Sequence, residues 1–173
     1  MKRITVLMFM LIAFISCNSN NEKHDDAKAI ADLEHKVLTD AKSINPSTAD
    51  SLVSMYKQFA EAYPQDTLSP AYLYRAADIL ANRKECLPAI DLLDKIEEKY
   101  PQSDYAPQAS FLKGVIFQDV CLNKEKAAES FNAFIAKYPN SPLVNDAKGL
   151  LILSQTKDEL ELIHQWEEKA KED

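Results

Sequence analysis

Apolar residues fall along this chain in two regimes. Near the start they are continuous: Ile4 to Ile15 is an almost unbroken apolar run, preceded by Lys2 and Arg3 and followed, at Ser16-Cys17, by polar Asn18-Ser19-Asn20-Asn21. Further on they are periodic. The dipeptide Tyr-Pro recurs as Tyr63-Pro64, Tyr100-Pro101 and Tyr138-Pro139, at intervals of 37 and 38 residues. Counting back from each proline, similar residues return in register. Leu52, Ala89 and Ala127 stand twelve before it; Tyr56, Leu93 and Phe131 eight before; Phe59, Ile96 and Phe134 five before; a tyrosine one before. Steps of four, three and four place each set on one face of an α-helix. The proline closes that helix, because it pushes the preceding residue away from helical geometry.

Extending the pattern predicts helices over 26–42, 48–62, 70–82, 87–99, 106–121, 124–137, 142–154 and 157–171, paired as four hairpins. The prolines fall at or near the predicted ends. Ser69-Pro70 and Ser141-Pro142 read as an N-cap followed by Pro at the first helical position. Sustained period-two alternation is missing from the sequence, so no sheet is expected. The final helix opens on a capping box, Thr156-Lys157-Asp158-Glu159, and carries the stripe Leu160, Ile163 and Trp166. A terminal helix with one wet face is what a stack of repeats needs in order to stop growing.

The first regime has a different meaning. A run of 12 residues is too short for a transmembrane helix, which needs roughly 20, and suits the apolar region of a secretory signal. With a basic start, a small residue at Ser16 and a polar break directly after Cys17, the segment resembles a bacterial lipoprotein signal; Phe14 departs from the aliphatic residue usual at its position. The resemblance implies a signal peptide over 1–16, an acylated Cys17, a polar tether over 17–26 and a helical repeat domain over 27–173. Two or more acyl chains hold a protein stably on a membrane. Asn18 after the cysteine, by resemblance to enteric lipoproteins, implies the outer membrane. An ordinary secretory peptide, or an uncleaved anchor with an incidental cysteine, is the alternative.

The periodic regime also resembles a family. Ala89-Leu93-Pro101 and Ala127-Phe131-Pro139 are similar to the second-helix signature of the tetratricopeptide repeat, and Leu52-Tyr56-Pro64 matches apart from its bulkier first residue. Ala77 and Gly114 stand for the small residue of the first helix. The resemblance covers about residues 48–155 and implies an all-α, right-handed superhelical stack of three to four helical hairpins. The phrases YPQSDYAPQASFLKG and FNAFIAKYPNSPLVNDA resemble repeats of the helical lipoprotein of outer-membrane β-barrel assembly and of the Tol-Pal coordinator family.

Composition narrows the function classes. Gly114 and Gly149 are the two glycines, so no Gly-rich phosphate cradle can form. Net charge is −7; without Lys2 and Arg3 the mature chain has 18 basic and 27 acidic side chains, or −9. No dense Lys/Arg run offsets this, which argues against nucleic acid as a partner. His24, His35 and His164 lack metal-ligand spacing, and no HExxH or GxSxG motif occurs, so neither an enzyme nor a cofactor is expected. Cys86 and Cys121 are too far apart for a CxxC motif. In an oxidising compartment they could pair, the alternative being two buried free thiols.

In repeats of this family the first helices line a concave groove. Transferred to this chain, that geometry gives a candidate partner-binding face of Tyr74, Asp78 and Asn82 in one repeat and Gln108, Gln118 and Asp119 in the next, polar and mildly acidic, suited to an extended peptide or a partner's helix. The function expected is therefore a lipid-anchored protein–protein interaction scaffold of the cell envelope, periplasm-facing or surface-exposed, in outer-membrane protein assembly or envelope maintenance. The alternative is a small solute- or glycan-binding surface lipoprotein.

Overall fold

The computed structural model describes residues 2–39, 45–156 and 171, with side chains from residue 21 onward. Its helices are α1 (Lys2–Thr39), α2 (Pro46–Ala62), α3 (Leu68–Asn82), α4 (Cys86–Lys99), α5 (Tyr105–Asp119), α6 (Lys124–Lys137) and α7 (Val144–Gln155). No strand occurs among the described residues. From α2 to α7 the ends lie within two residues of those expected from periodicity. The helix expected over 157–171, with its capping box and Trp166, lies outside the described residues except for residue 171, as do residues 40–42 of the first. The chain divides into two compact units, 1–72 and 73–173, where the repeat period alone predicts one domain from residue 27.

In the first unit α1 packs on α2. The α2 N-terminus is prepared by Asn45, whose side chain accepts from the Thr48 N–H at 2.8 Å, and by Pro46 at the first helical position. Leu52, Tyr56 and Phe59 are buried, as the stripe requires, and Tyr72 meets both rings, stacked on Tyr56 and edge-on to Phe59. The stretch expected to be a tether, 17–26, lies within α1. Two of its residues make contacts: Lys23 pairs with Asp66 at 3.0 Å, and the Tyr63 hydroxyl donates to Asp26 at 2.8 Å. That hydrogen bond, with burial and the charges of Asp26 and Glu22, pushes the Tyr63 phenol up to about 12.

The three Tyr-Pro sites are matching elbows. Tyr63, Tyr100 and Tyr138 each donate their N–H to the carbonyl four residues back, Phe59, Ile96 and Phe134, at 2.8, 2.9 and 2.8 Å. Each leaves the helix with closely similar angles, φ between −125° and −128°. Three residues further on, Asp66, Ser103 and Ser141 donate their N–H back to the tyrosine carbonyl at 3.0 Å in every case. Their side chains then accept from the N–H two residues on, at 2.9, 3.1 and 3.3 Å. A short polar side chain thus satisfies an N–H at the entrance to the following helix, which has no helical partner of its own. This corrects two expected caps. Ser69 lies inside α3, where its hydroxyl donates a second hydrogen bond, at 2.6 Å, to the Tyr63 carbonyl that already accepts from Asp66. Ser141 caps the turn, not α7, and Pro142 precedes that helix.

In the second unit α4 packs on α5, α5 on α6 and α6 on α7. Ala89, Leu93 and Ile96 of α4, and Ala127, Phe131 and Phe134 of α6, are completely buried. Phe111 of α5 lies 6.0 Å from the Phe131 ring and 5.6 Å from Phe134. Large residues on α6 require small ones opposite. A Cβ on Gly114 would stand 2.5 Å from the nearest Phe131 ring atom, so this glycine is kept for space and not for backbone freedom.

The two glycines therefore respond oppositely to alanine. Helix propensity favours Gly149→Ala by about 0.5–1 kcal/mol, with nothing within 4 Å of the new methyl. In Gly114→Ala an overpacking cost of about 1–3 kcal/mol exceeds that gain. Thermal melts should show Gly149→Ala above and Gly114→Ala below the parent chain; shifts of one sign would refute the packing assignment.

Candidate functional site

The face predicted to bind a partner is built mainly on α3 and α5. Leu73, Ala76, Ala77 and Leu80 turn the opposite side of α3 inward, all buried. Tyr74 is half-buried, while Asp78 and Asn82 are exposed. Tyr74 meets Tyr105 at the start of α5, ring centroids 5.6 Å apart. Burial, then the charge of Asp78 and the neighbouring Tyr105, raises the Tyr74 phenol above its ordinary value, so it stays a neutral donor. Asn82 folds its amide back to the Asp78 carbonyl at 2.9 Å. The structure thus joins α3 to α5 through an aromatic pair whose second member, Tyr105, the sequence reading missed. The available signal was a tyrosine five residues after Tyr100, off the core stripe.

The residues taken from the next repeat divide. Asp119 is exposed at the end of α5. Gln108 is exposed, donates to the Asp104 carbonyl at 3.2 Å, and borders a cleft of about 400 Å³ with Pro107, Lys137, Tyr138 and Pro142. Gln118 is committed to packing: its Oε1 accepts the hydroxyl of buried Ser154 at 2.7 Å and so ties α5 to α7. As a groove residue Gln118 has one acceptor already engaged.

Two further features hold this face in place. Lys113 of α5 reaches α4, its Nζ 2.8 Å from Asp94 and 2.6 Å from Glu97, and Lys137 of α6 lies 3.1 Å from the other Glu97 oxygen. Burial would raise the Glu97 carboxyl; the hydrogen bonds and charges of Lys113 and Lys137 outweigh it and hold the group below its ordinary value. Burial would likewise lower Lys113, and Asp94 with Glu97 keeps it raised. Acids and cations in this cluster compensate one another, so it is a tie across three helices. The second feature is covalent. Cys86, opening α4, and Cys121, following α5, form a disulfide with Cα atoms 5.4 Å apart. Among the described residues no cluster of His, Cys, Asp and Glu could hold a metal ion, and no helix is long and apolar enough to cross a membrane.

A model of the tetratricopeptide repeat matches residues 71–103 and 108–141. The first match contains α4 and α3 apart from its first three residues, and the second contains α6 and α5 apart from its first three. Comparison with curated proteins gives no match. The matched repeats support a protein–protein interaction scaffold, a class that is typically non-enzymatic.

Lys113→Met should cost about 1 kcal/mol at neutral pH by leaving Glu97 half-paired. Glu97 has a depressed pKa, so its contribution is complete above the ordinary glutamate range and is lost as pH falls through the depressed value. Urea unfolding at pH 7 and pH 3 should show the gap between parent and variant narrowing on the acid side; an unchanged gap would mean that the tie is not electrostatic.

Opening the disulfide, which spans a sequence separation of 35 residues, should lower stability by about 3–4 kcal/mol on the chain-entropy relation. Cys86→Ser and a reduced parent chain should melt at similar, lower temperatures. No difference between reduced and unreduced parent would sink that expectation.

Proposed function

We propose, from its two matched tetratricopeptide repeats, that this protein is a lipid-anchored interaction scaffold of the bacterial cell envelope, held on the outer membrane through acylated Cys17. The observation that carries the binding role is the exposed side of α3, where half-buried Tyr74 and exposed Asp78 and Asn82 lie beside Tyr105. Aromatic rings that are partly wet and already packed on each other present contact area with little further loss of side-chain freedom. Flanking polar groups supply direction. The anchor rests on the sequence alone: a basic start, a twelve-residue apolar run and a small residue before a cysteine at a polar break. The partner class favoured is a protein of outer-membrane assembly or envelope maintenance, supported by the resemblance of the YPQSDYAPQASFLKG phrase to repeats in those systems.

A photo-crosslinking residue at position 78 should join the protein to a discrete partner in intact cells, and Tyr74→Ala should reduce that product about tenfold. The same probe at Glu98, exposed on α4, should not form it. An identical product from both positions would defeat the assignment of this face. Independently, fatty-acid labelling should require Cys17, and Cys17→Ala should abolish it.

A further inference from the structure

We propose that the end of the second unit bearing Leu87 and Leu122, beside the Cys86–Cys121 bond, docks on an anionic lipid surface. Both leucines stand in water, Leu87 66% and Leu122 80% exposed. Leu122 is unusual in its backbone as well, at φ 54°. It follows α5 in a cap where Val120 and Cys121 both donate to the Ile116 carbonyl and Asn123 donates to that of Phe117. Glycine is the usual residue at such a left-handed position, since a side chain there is strained. Neither the backbone nor the core gains from leucine here. Lys84 occupies the corresponding left-handed position after α3, at φ 64°.

The disulfide makes the two leucines one feature. With its Cα atoms 5.4 Å apart, Leu87 and Leu122, each next to a cysteine, have Cα atoms within about 13 Å. Cations flank both. The α3–α4 loop, Arg83-Lys84-Glu85, and the first turn of α6, Lys124-Glu125-Lys126, each hold two cations and one acid. Adding Asp119 leaves four cations against three acids, in a chain whose sum is −7. Arg83 and Glu85 pair with each other at 3.0 Å, which leaves Lys84, Lys124 and Lys126 against Asp119 and Glu125.

The occupant follows from area and charge. A stable protein interface buries about 800 Å² on each partner and engages 20–30 residues. Two leucines with a mixed, slightly cationic rim fall well short of that area, for a second copy as for another protein. A lipid surface needs no complementary pocket. It accepts leucine side chains at the headgroup boundary and attracts neighbouring lysines. Two leucines alone give weak binding, so the docking rests on the membrane attachment proposed above for its local concentration. Its effect is orientation: it sets which end of the repeat unit faces the lipid.

The test uses the full chain, isolated in detergent and reconstituted into phosphatidylethanolamine–phosphatidylglycerol vesicles with or without brominated acyl chains. The apolar run or the acyl chains keep it on the vesicle in either case. Leu122→Trp and Leu87→Trp, with Glu98→Trp as control, are each made in a Trp166→Phe background. Bromolipid should quench Trp at 122 and 87 about twofold more than at 98, and high salt should weaken the effect. In Leu122→Gly, the quenching of Trp at 87 should fall while the melting temperature holds or rises, since glycine suits the left-handed cap. Quenching at 122 and 87 no greater than at 98, or Trp at 87 indifferent to Leu122→Gly, would overturn the proposal. Failure of the anchor would appear separately, as absent fatty-acid label on Cys17.

Discussion

Removal of one apolar stripe per second helix from water is the interaction on which each repeat depends. In α2 the stripe is Leu52, Tyr56 and Phe59, in α4 Ala89, Leu93 and Ile96, in α6 Ala127, Phe131 and Phe134, and every one of these residues is buried. A stripe is one-sided, so it needs a facing helix close enough to seal it. Closeness needs small residues on the facing helix, and α5 supplies Ala106, Ala109 and Gly114, all buried. The Phe131–Gly114 contact shows the reciprocity at its sharpest, a full aromatic ring against a residue with no side chain. Close packing of this kind also limits where the chain can turn. The second helix must end one turn past its last large residue, and the Tyr-Pro elbow ends it there.

This explains how far the chain could be read before its structure was known. The stripe and the proline stop are both local, so six helices fell within two residues of expectation. The elbow's internal chemistry was less legible. Asp66, Ser103 and Ser141 recur three residues after each tyrosine. A serine before a proline resembles a helix cap, however, and that more familiar pattern drew attention to Ser69 and Ser141. The middle of α1 was harder still. Lys23 and Asp26 belong to a polar, aperiodic stretch, and their partners lie about forty residues away in sequence. Nothing local marks a polar residue as docked when its partner is distant.

The same difficulty governs the candidate site. Helical register points Gln118 to the open face, yet its side chain is drawn to Ser154 thirty-six residues away. Tyr105 escaped notice because it lies off the stripe, though it packs on Tyr74. Charged residues behave likewise. Scattered acids and lysines read as solvated faces, while Glu97, Lys113 and Lys137 join α4, α5 and α6 through one part-buried carboxylate. Such a tie adds less stability than the apolar core. It is more directional, because only one register of the three helices brings both lysines to Glu97.

A division of labour within each repeat follows from these contacts. The second helix spends its large residues on the core, and its outer face is largely charge. The first helix faces inward mainly with small residues and leucine, with one aromatic ring set against the stripe in each case, Tyr72 on α3 and Phe111 on α5. Its remaining positions can therefore vary without unfolding the protein. Tyr74, Asp78 and Asn82 occupy that freedom on α3, and Asp119 on α5. Recognition placed there can be tuned independently of stability, whereas recognition placed on the second helices would compete with packing. The fold is thus readable because few solutions satisfy the core, and the partner is unreadable because many sequences satisfy the open face. The Tyr74–Tyr105 contact, where two first helices meet through aromatic rings, and the Gln118–Ser154 hydrogen bond couple the two. There a change that altered binding would also be felt by the packing of α5 beneath it.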